Sequence, residues 1–218
     1  MNKIKTIELF AGTCSFSKVA KKLGHRTFTT DYEEIDGQDL IIDICKLKGK
    51  DLPYTPDFLW ASPPCEGFSV ASIGANWTGG KRGYIPKSES AVRSIKLAKQ
   101  AIRLIKETKP KYWFIENPRG LLRKMPFMIR FLKQQGGVRH TVWYCKYGDT
   151  RAKPTDIWTN ALWWQPLPVC RNNASDCHHE RAPRGAKTGT QGVQGYKNRS
   201  RIPEKLFKEI FKQYGNLA

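Results

Sequence analysis

The stretch TIELFAGTCSFSKVAKKL, residues 6–23, places an apolar strand pattern, a turn of small residues and an amphipathic helix pattern in direct succession. Residues 6–10 predict a strand and residues 11–13 a tight turn. A helix is predicted over residues 15–23, with one apolar face formed by Phe16, Val19, Ala20 and Leu23. Small turn residues let a ligand approach the backbone, and the helix N-terminus offers N–H groups to an anionic group. This β-turn-α opening predicts an α/β fold with a ligand site at the turn.

Two aspartates lie in the next two strand patterns. Residues 26–31 predict a strand that ends at Asp31, about 20 residues after the glycine turn, the offset at which such folds bind ribose hydroxyls. Residues 40–44 contain Asp43, which we expect near an adenine edge. Either aspartate alone is typical of a turn or a helix cap. Together with the glycine turn, they indicate a cofactor that contains a nucleoside.

A candidate nucleophile, Cys65, follows the apolar run 57–61 and the residues Ser62-Pro63-Pro64. Consecutive prolines fix φ and exclude helix, so the thiol is expected on a rigid loop at the carboxyl end of a strand, where open α/β sheets bind ligands. A lone cysteine is more often a buried structural residue. Here, however, a second predicted strand over residues 111–116 delivers Glu116 to the same sheet edge. This pattern pairs a nucleophile with a general acid.

Two further segments are predicted to border this edge. Residues 70–90 combine four glycines and two aromatic residues with the basic pair Lys81-Arg82, and they have little periodicity. This composition predicts a long mobile loop that acts as a lid or contacts nucleic acid. A hairpin is predicted across residues 141–160, with Arg151 and Lys153 at alternate positions and therefore on one side of an extended chain.

The chain is strongly basic, with 38 lysines and arginines against 19 acidic residues and a net charge of +19 over 218 residues. Such a charge favours a polyanionic partner, nucleic acid above all, over a merely soluble basic protein. The N-terminus lacks the apolar core of a signal peptide, and no apolar run approaches the roughly 20 residues that span a bilayer. We therefore expect a cytoplasmic protein whose six cysteines are reduced.

The composition divides the chain into three predicted parts: residues 1–160 as the catalytic domain, 161–200 as a small basic recognition segment, and 201–218 as a C-terminal helix that packs back on the first part. The recognition segment contains four candidate ligands of a structural zinc ion, Cys170, Cys177, His178 and His179, with Cys145 or His140 as a further candidate. The alternative interpretation is that these are solvent-exposed loop residues.

Four motifs occur in an order that resembles the DNA (cytosine-5)-methyltransferase family: Phe10-Ala11-Gly12, Pro63-Pro64-Cys65, Glu116-Asn117-Pro118 and Arg151-x-Lys153. The match covers roughly residues 5 to 160, and Tyr214-Gly215-Asn216 is similar to a truncated form of the family's last cofactor motif. The resemblance implies a Rossmann-like sheet with helices on both faces that binds S-adenosylmethionine and methylates C5 of cytosine.

The resemblance also assigns residues to roles. The implied catalytic residues are Cys65, Glu116, Arg151 and Lys153. The implied cofactor-binding residues are Phe10, Ala11, Gly12, Thr13, Cys14, Ser15, Asp31, Tyr32, Asp43, Ile44, Ser62, Pro63 and Asn216. Contacts to DNA are expected from Ser69, Lys81, Arg82, Arg181, Arg184 and Lys187.

The implied chemistry explains these residue types. The Cys65 thiolate would add to C6 of the cytosine so that C5 can accept the methyl group. Glu116 would hold the proton at N3 and contact the exocyclic amine, and Arg151 would brace the base carbonyl or the cysteine loop. Since C6 is inaccessible in a stacked duplex, the base must be flipped out, and residues 70–90 would close over it.

Three departures from the family pattern keep alternatives open. Cys14 and Ser15 replace the usual glycine-rich continuation, Glu66 replaces a glutamine, and Pro118 replaces a common valine. The segment available for target recognition, about residues 162–199, is also very short for the family. We expect a monomer that acts on duplex DNA in a prokaryotic or phage-infected cell. The alternatives are methylation of cytosine in RNA and a catalytically silent module that binds nucleic acid.

Overall fold

The computed structural model describes residues 3–80, 83–171, 179–180, 193 and 195–217. Its strands are β1 Lys5–Leu9, β2 Arg26–Asp31, β3 Leu40–Ile41, β4 Phe58–Ala61, β5 Trp77–Thr78, β6 Ile85–Pro86, β7 Tyr112–Pro118, β8 Val138–Trp143 and β9 Pro154–Thr159. Its helices are α1 Ser15–Lys22, α2 Ile73–Asn76, α3 Glu89–Thr108, α4 Pro126–Gln134, α5 Tyr196–Ser200 and α6 Glu204–Gly215. Of the helices in this described part, none has the length and apolar character needed to cross a membrane.

A mostly parallel sheet forms the centre of the fold, with strand order β3-β2-β1-β4-β7-β9-β8. The first five strands in this order are parallel, whereas β9 runs antiparallel to both β7 and β8. Parallel strands end at a common edge, so Phe10, Asp31, Ser62 and the end of β7 meet there. Because Pro118 pairs with Thr155 across the antiparallel junction, the residues that precede β9 reach the same edge.

Helices cover both faces of the sheet, as the α/β prediction requires. Strand β4 is buried throughout, and its side chains alternate between the two cores: Leu59 packs on the face of α3 and α4, and Trp60 on the face of α1 and α6. Such two-sided burial explains the continuous apolar pattern of this strand. Phe16 of α1 stacks on Trp60 at 5.5 Å and on Phe211 of α6 at 5.5 Å. The predicted fold class is therefore confirmed.

Local signals set the ends of several helices. The Ser88 hydroxyl accepts a hydrogen bond from the Ala91 amide at 3.1 Å and caps α3, and Pro126 occupies the first turn of α4. At α1 the cap is supplied from the neighbouring strand, because the Glu8 carboxylate accepts hydrogen bonds from the amides of Phe16 and Ser17 at 3.2 and 2.8 Å.

The prediction of an irregular loop over residues 70–90 is wrong in part. Residues 70–72 form a 3₁₀ helix, α2 follows, and β5 pairs with β6 in a short hairpin. Trp77 is 5% exposed and its indole donates a hydrogen bond to the carbonyl of Gly67, so this ring belongs to the core beside Phe68. Lys81 and Arg82, at the tip, lie outside the described residues.

Candidate active site

The loop that carries Cys65 is held on two sides. Asn117, at the end of β7, donates a hydrogen bond to the carbonyl of Pro63 at 2.8 Å. On the other side, the Gly67 amide donates to the Ser94 hydroxyl of α3 at 3.1 Å. A Cβ atom on Gly67 would come within 2.6 Å of that hydroxyl, so only glycine allows this approach. Cys65 is thus presented from a rigid loop, as the proline pattern predicted.

Glu116 lies near the end of β7 and is 5% exposed. The Tyr144 hydroxyl donates a hydrogen bond to its Oε1 at 2.9 Å. Burial raises the pKa of Glu116, although the ammonium of Lys153 and the hydrogen bond from Tyr144 act in the opposite direction. The carboxyl group is therefore biased towards its protonated form, which can donate a proton to a ligand.

Lys153 supplies the positive charge next to Cys65 and Glu116. Its Nζ donates a hydrogen bond to the carbonyl of Arg199 at 2.9 Å and lies 4.9 Å from the centre of the Tyr144 ring. Burial lowers the pKa of Lys153, while Glu116 and Cys65 act to raise it. Its φ of 22° is rarely adopted by residues other than glycine, and strain of this kind is typical of functional sites.

The pKa of the Cys65 thiol is raised, first by burial and then by the charge of Glu116, whereas Lys153 lowers it. Formation of the reactive thiolate thus depends on the cation, and protonation of Glu116 removes the opposing charge. The three side chains form an electrostatically coupled group in which each ionisation affects the other two.

Arg151 takes a different position from the one expected. Its guanidinium forms a bidentate ion pair with Asp149, with distances of 2.8 and 2.5 Å. It also donates hydrogen bonds, at 3.0 to 3.1 Å, to the carbonyl groups of Asn198 and Arg199 in α5 and of Arg201, which follows this helix. These contacts anchor the segment 198–201, and the cation that borders Cys65 and Glu116 is Lys153.

Two adjoining cavities lie at the carboxyl edge of the sheet. The smaller, of about 500 Å³, is lined by Cys65, Glu116 and Lys153 together with the β1–α1 turn and Ser69. The larger, of about 1350 Å³, contains Asp31 and Asp43. The wall that they share is formed by Phe10, Gly12, Ser62, Pro64, Glu66 and Ser200. A ligand in the larger cavity can therefore reach the smaller one.

Most predicted cofactor residues line these cavities. Phe10, Gly12, Asp31, Tyr32, Asp43, Ile44 and Ser62 border the larger one, and Ala11, Thr13, Ser15 and Pro63 border the smaller one. Both carboxylate oxygens of Asp31 accept backbone hydrogen bonds, from Gly12 at 2.8 Å and Tyr32 at 2.7 Å. Asp31 therefore also fixes the turn, where Phe10 has a φ of 56° and Gly12 a φ of 49°.

Two predicted cofactor residues lie elsewhere. Cys14 is buried against Gln38, 3.6 Å from its amide nitrogen, and borders neither cavity. Asn216 is exposed at the C-terminal end of α6. The neighbouring Tyr214 packs on Phe58 and Tyr112, the first residues of β4 and β7, which places Asn216 at the edge of the sheet opposite the cavities. Asn216 therefore borders neither cavity, whereas Ser200 borders both.

Sequence reasoning missed two residues that shape the turn. The Gln38 side-chain amide donates a hydrogen bond to the carbonyl of Gly12 at 2.6 Å. Glu8 is 3% exposed, and burial raises its pKa to about 7. The signal for Glu8 was present, because an acidic residue inside an apolar strand requires a buried partner.

The structure describes only some of the residues that the sequence predicts to bind zinc or DNA. Cys170 and His179 lie close together, and Cys145 joins them. Cys177, His178, Arg181, Arg184 and Lys187 lie outside the described residues.

Comparison with known proteins agrees with this architecture. Residues 3–130 match the family model described as C-5 cytosine-specific DNA methylase. A protein of Frog virus 3 (isolate Goorha), named "Probable DNA (cytosine-5)-methyltransferase", is 27% identical over 221 residues, covering 95% of this chain and 98% of the viral protein.

A solved structure shows a similar fold. A prophage-encoded protein from E. coli, described as a DNA modification methyltransferase, aligns with a TM-score of 0.53 and 15% identity over 72% of this chain and 46% of that chain. The Entamoeba histolytica methyltransferase EhMeth aligns with a TM-score of 0.49 and 14% identity, over 73% of this chain and 53% of that chain. This chain spans about half the length of these two structures.

Proposed function

Because the chain belongs to the C-5 cytosine-specific DNA methylase family, we propose that it transfers a methyl group from S-adenosylmethionine to C5 of a cytosine in duplex DNA. The observation that carries the proposal is the convergence of Cys65, Glu116 and Lys153 on a cavity that adjoins the larger one, which contains Asp31 and Asp43. A module that only binds nucleic acid would not need a nucleophile, a proton donor and a half-buried cation in one place.

The larger cavity fits S-adenosylmethionine. Asp31 and Asp43 are suited to ribose hydroxyls and an adenine edge, and the apolar side chains of Ile35, Ile42 and Leu97 can enclose a planar ring. When bound, the cofactor supplies an electrophilic methyl group. The shared wall at Phe10, Gly12 and Ser62 would place that group towards the cavity that contains Cys65.

Cys65 is proposed as the nucleophile that makes C5 reactive. Its Sγ bonds to C6 of the cytosine, which raises the electron density at C5, and C5 then takes the methyl group. Loss of the C5 proton to a base, return of the N3 proton to Glu116 and cleavage of the Sγ–C6 bond then release 5-methylcytosine and regenerate the Cys65 thiolate. Lys153 stabilises the thiolate before attack, since it is the cation that lowers the pKa of Cys65.

Glu116 is proposed to protonate N3 while Cys65 attacks C6. Addition of a thiolate brings negative charge onto the ring, and a neutral carboxyl group at N3 relieves it. The raised pKa of Glu116 keeps the proton available, and the hydrogen bond from Tyr144 fixes the carboxyl orientation. Because a stacked base cannot reach the half-buried Cys65 inside the smaller cavity, the cytosine must leave the helix and enter that cavity.

The test is a trapping experiment. The protein is incubated with S-adenosylmethionine and a duplex in which 5-fluorocytosine replaces cytosine, and a protein–DNA adduct that survives denaturation is sought. The fluorine blocks the final elimination, so the Cys65–C6 bond persists. We expect an adduct with the fluorinated duplex, none with an unmodified duplex, and none with Cys65→Ala.

Matched structured RNA with the same base serves as the second substrate. An adduct with RNA and none with DNA would replace the proposed substrate by RNA. An adduct that persists in Cys65→Ala would remove Cys65 from the mechanism. No adduct with either nucleic acid, from a protein that binds S-adenosylmethionine, would overturn the proposal.

A further inference from the structure

Three soft ligand groups converge next to the active site. Cys145 lies in the 3₁₀ helix Tyr144–Tyr147, Cys170 is a buried residue beyond β9, and His179 follows nine positions later. Their Sγ and imidazole nitrogen atoms all lie within 4.8 Å of one another. Within the described residues, this group has the composition and the geometry of a metal site.

The distances agree with zinc. The Sγ of Cys170 and the Nδ1 of His179 are 3.6 Å apart. In a tetrahedral site, Zn–S bonds of about 2.3 Å and Zn–N bonds of about 2.1 Å separate the two ligand atoms by about 3.6 Å. Two thiolates and an imidazole form a donor set that selects zinc over hard cations such as magnesium. We propose that Cys145, Cys170 and His179 bind a structural zinc ion.

The location suggests what such an ion would stabilise. Tyr144, which donates the hydrogen bond to Glu116, immediately precedes Cys145. On the other side, the amide of Glu180, adjacent to His179, donates a hydrogen bond to the carbonyl of Thr150 at 2.9 Å. A metal ion would therefore join the turn that leads to Lys153 to the segment that follows β9. This role is structural and independent of methyl transfer.

Structural zinc ions usually have four protein ligands. Cys177 and His178, which the sequence also predicted as ligands, lie beyond the described part of the chain. The proposal rests on the three described residues. The competing interpretation is an S–H to nitrogen hydrogen bond between Cys170 and His179, with no metal.

Metal content of the untagged protein tests the proposal directly. Protein purified without chelators is dialysed and analysed by inductively coupled plasma mass spectrometry. We expect about one zinc ion per chain. Cys145→Ser and Cys170→Ser should each lower the content to background, whereas His140→Asn should retain it. His140 is a suitable control because it was the alternative ligand in the sequence, yet its ring packs on Trp164 at 5.2 Å.

A spectroscopic measurement covers the case in which the cysteine variants fail to fold. The wild-type protein is stripped of metal and titrated with Co²⁺, which absorbs in the near ultraviolet when thiolates coordinate it and strongly in the visible range when it is tetrahedral. Saturation at about one equivalent with both bands supports the site. A folded wild-type protein with background zinc and no thiolate-to-cobalt absorption would overturn the proposal.

Discussion

The ammonium group of Lys153 donates a hydrogen bond of 2.9 Å to the carbonyl oxygen of Arg199. This contact connects the cation beside Cys65 to α5, whose last residue, Ser200, borders both cavities. The position of the C-terminal segment and the charge at the nucleophile therefore depend on the same side chain.

The positive charge of Lys153 should increase the reactivity of Cys65. Lys153→Gln removes the cation that lowers the pKa of Cys65, so the pKa of the thiol should rise further and the thiolate fraction near pH 8 should fall. Alkylation of Cys65 by iodoacetamide, followed by peptide mass spectrometry, should become slower. Methyl transfer should fall by roughly 10²- to 10³-fold.

Two variants control for charge. Lys153→Arg keeps the positive charge and should retain faster alkylation than Lys153→Gln, whereas Lys50→Gln removes an exposed lysine elsewhere and should leave the rate unchanged. Equal alkylation rates in Lys153→Gln and the wild type would show that Lys153 does not activate the thiol.

Arg151 is predicted to act on stability. Arg151→Met removes the guanidinium that pairs with Asp149 and donates to the carbonyls of Asn198 and Arg201, whereas the Arg199 carbonyl keeps Lys153 as a donor. Loss of one member of a buried ion pair costs about 3–5 kcal/mol. Urea unfolding should show a decrease in this range. In the double variant Asp149→Asn with Arg151→Met, part of the loss should be recovered, because the unpaired carboxylate is gone. Simple additivity of the two single losses would contradict the proposed pairing.

The contrast between Arg151 and Lys153 shows where sequence reasoning ends. Alternate positions on an extended chain predicted that both side chains share one side. Both side chains do donate to the carbonyl oxygen of Arg199, at 3.0 and 2.9 Å, but Arg151 is paired with Asp149 whereas Lys153 lines the smaller cavity. The local pattern does not reveal which of the two cations faces the site. The Cys65 loop was predictable because two prolines and an apolar strand fix it locally. The approach of Cys145 to Cys170 and His179 depends on tertiary packing, which local patterns do not encode.

Glu116 should affect the rate through its proton. Glu116→Gln removes the proposed acid while keeping the shape of the side chain, and methyl transfer should fall by roughly 10²- to 10⁴-fold. Since burial raises the pKa of Glu116, the wild-type rate should decline as pH rises through that pKa and the carboxyl loses its proton. The variant should lack this decline. Calorimetric titration with S-adenosylmethionine should give the same affinity for both proteins, and a weaker affinity in the variant would indicate a structural effect.

Glu8 provides a prediction about stability and pH. Burial raises its pKa to about 7 in the folded protein against an ordinary value of 4.5, although hydrogen bonds from Ser17 and Phe16 and the charge of Lys18 act in the opposite direction. Between these values the folded state holds a proton that the unfolded state has released. Glu8 therefore contributes stability that is complete below pH 4.5 and is lost as pH rises to 7, by about 3 kcal/mol.

The change is measured as the difference between two curves. The free energy of urea unfolding is determined from pH 4.5 to 8 for the wild type and for Glu8→Gln, which cannot titrate. The difference between the two should change by about the stated amount across this range and then level off above pH 7. Parallel curves would mean that Glu8 titrates at its ordinary pKa.

Variants at opposite edges of the sheet should show which edge binds the cofactor. Asp31→Asn keeps the size of the side chain but replaces one of the two oxygens that accept hydrogen bonds from Gly12 and Tyr32, so the β1–α1 turn and the cofactor cavity should both be disturbed. Affinity for S-adenosylmethionine, measured by calorimetry, should fall by roughly tenfold or more, the factor expected for a lost hydrogen bond to a charged group. Asn216→Ala is the matched test of the opposite edge and should bind as the wild type does, because Tyr214 holds that end of α6 against the first residues of β4 and β7. If Asn216→Ala weakens binding and Asp31→Asn does not, the cofactor binds at the edge of the sheet opposite the cavities. The proposed position of the methyl donor beside Cys65 is then wrong.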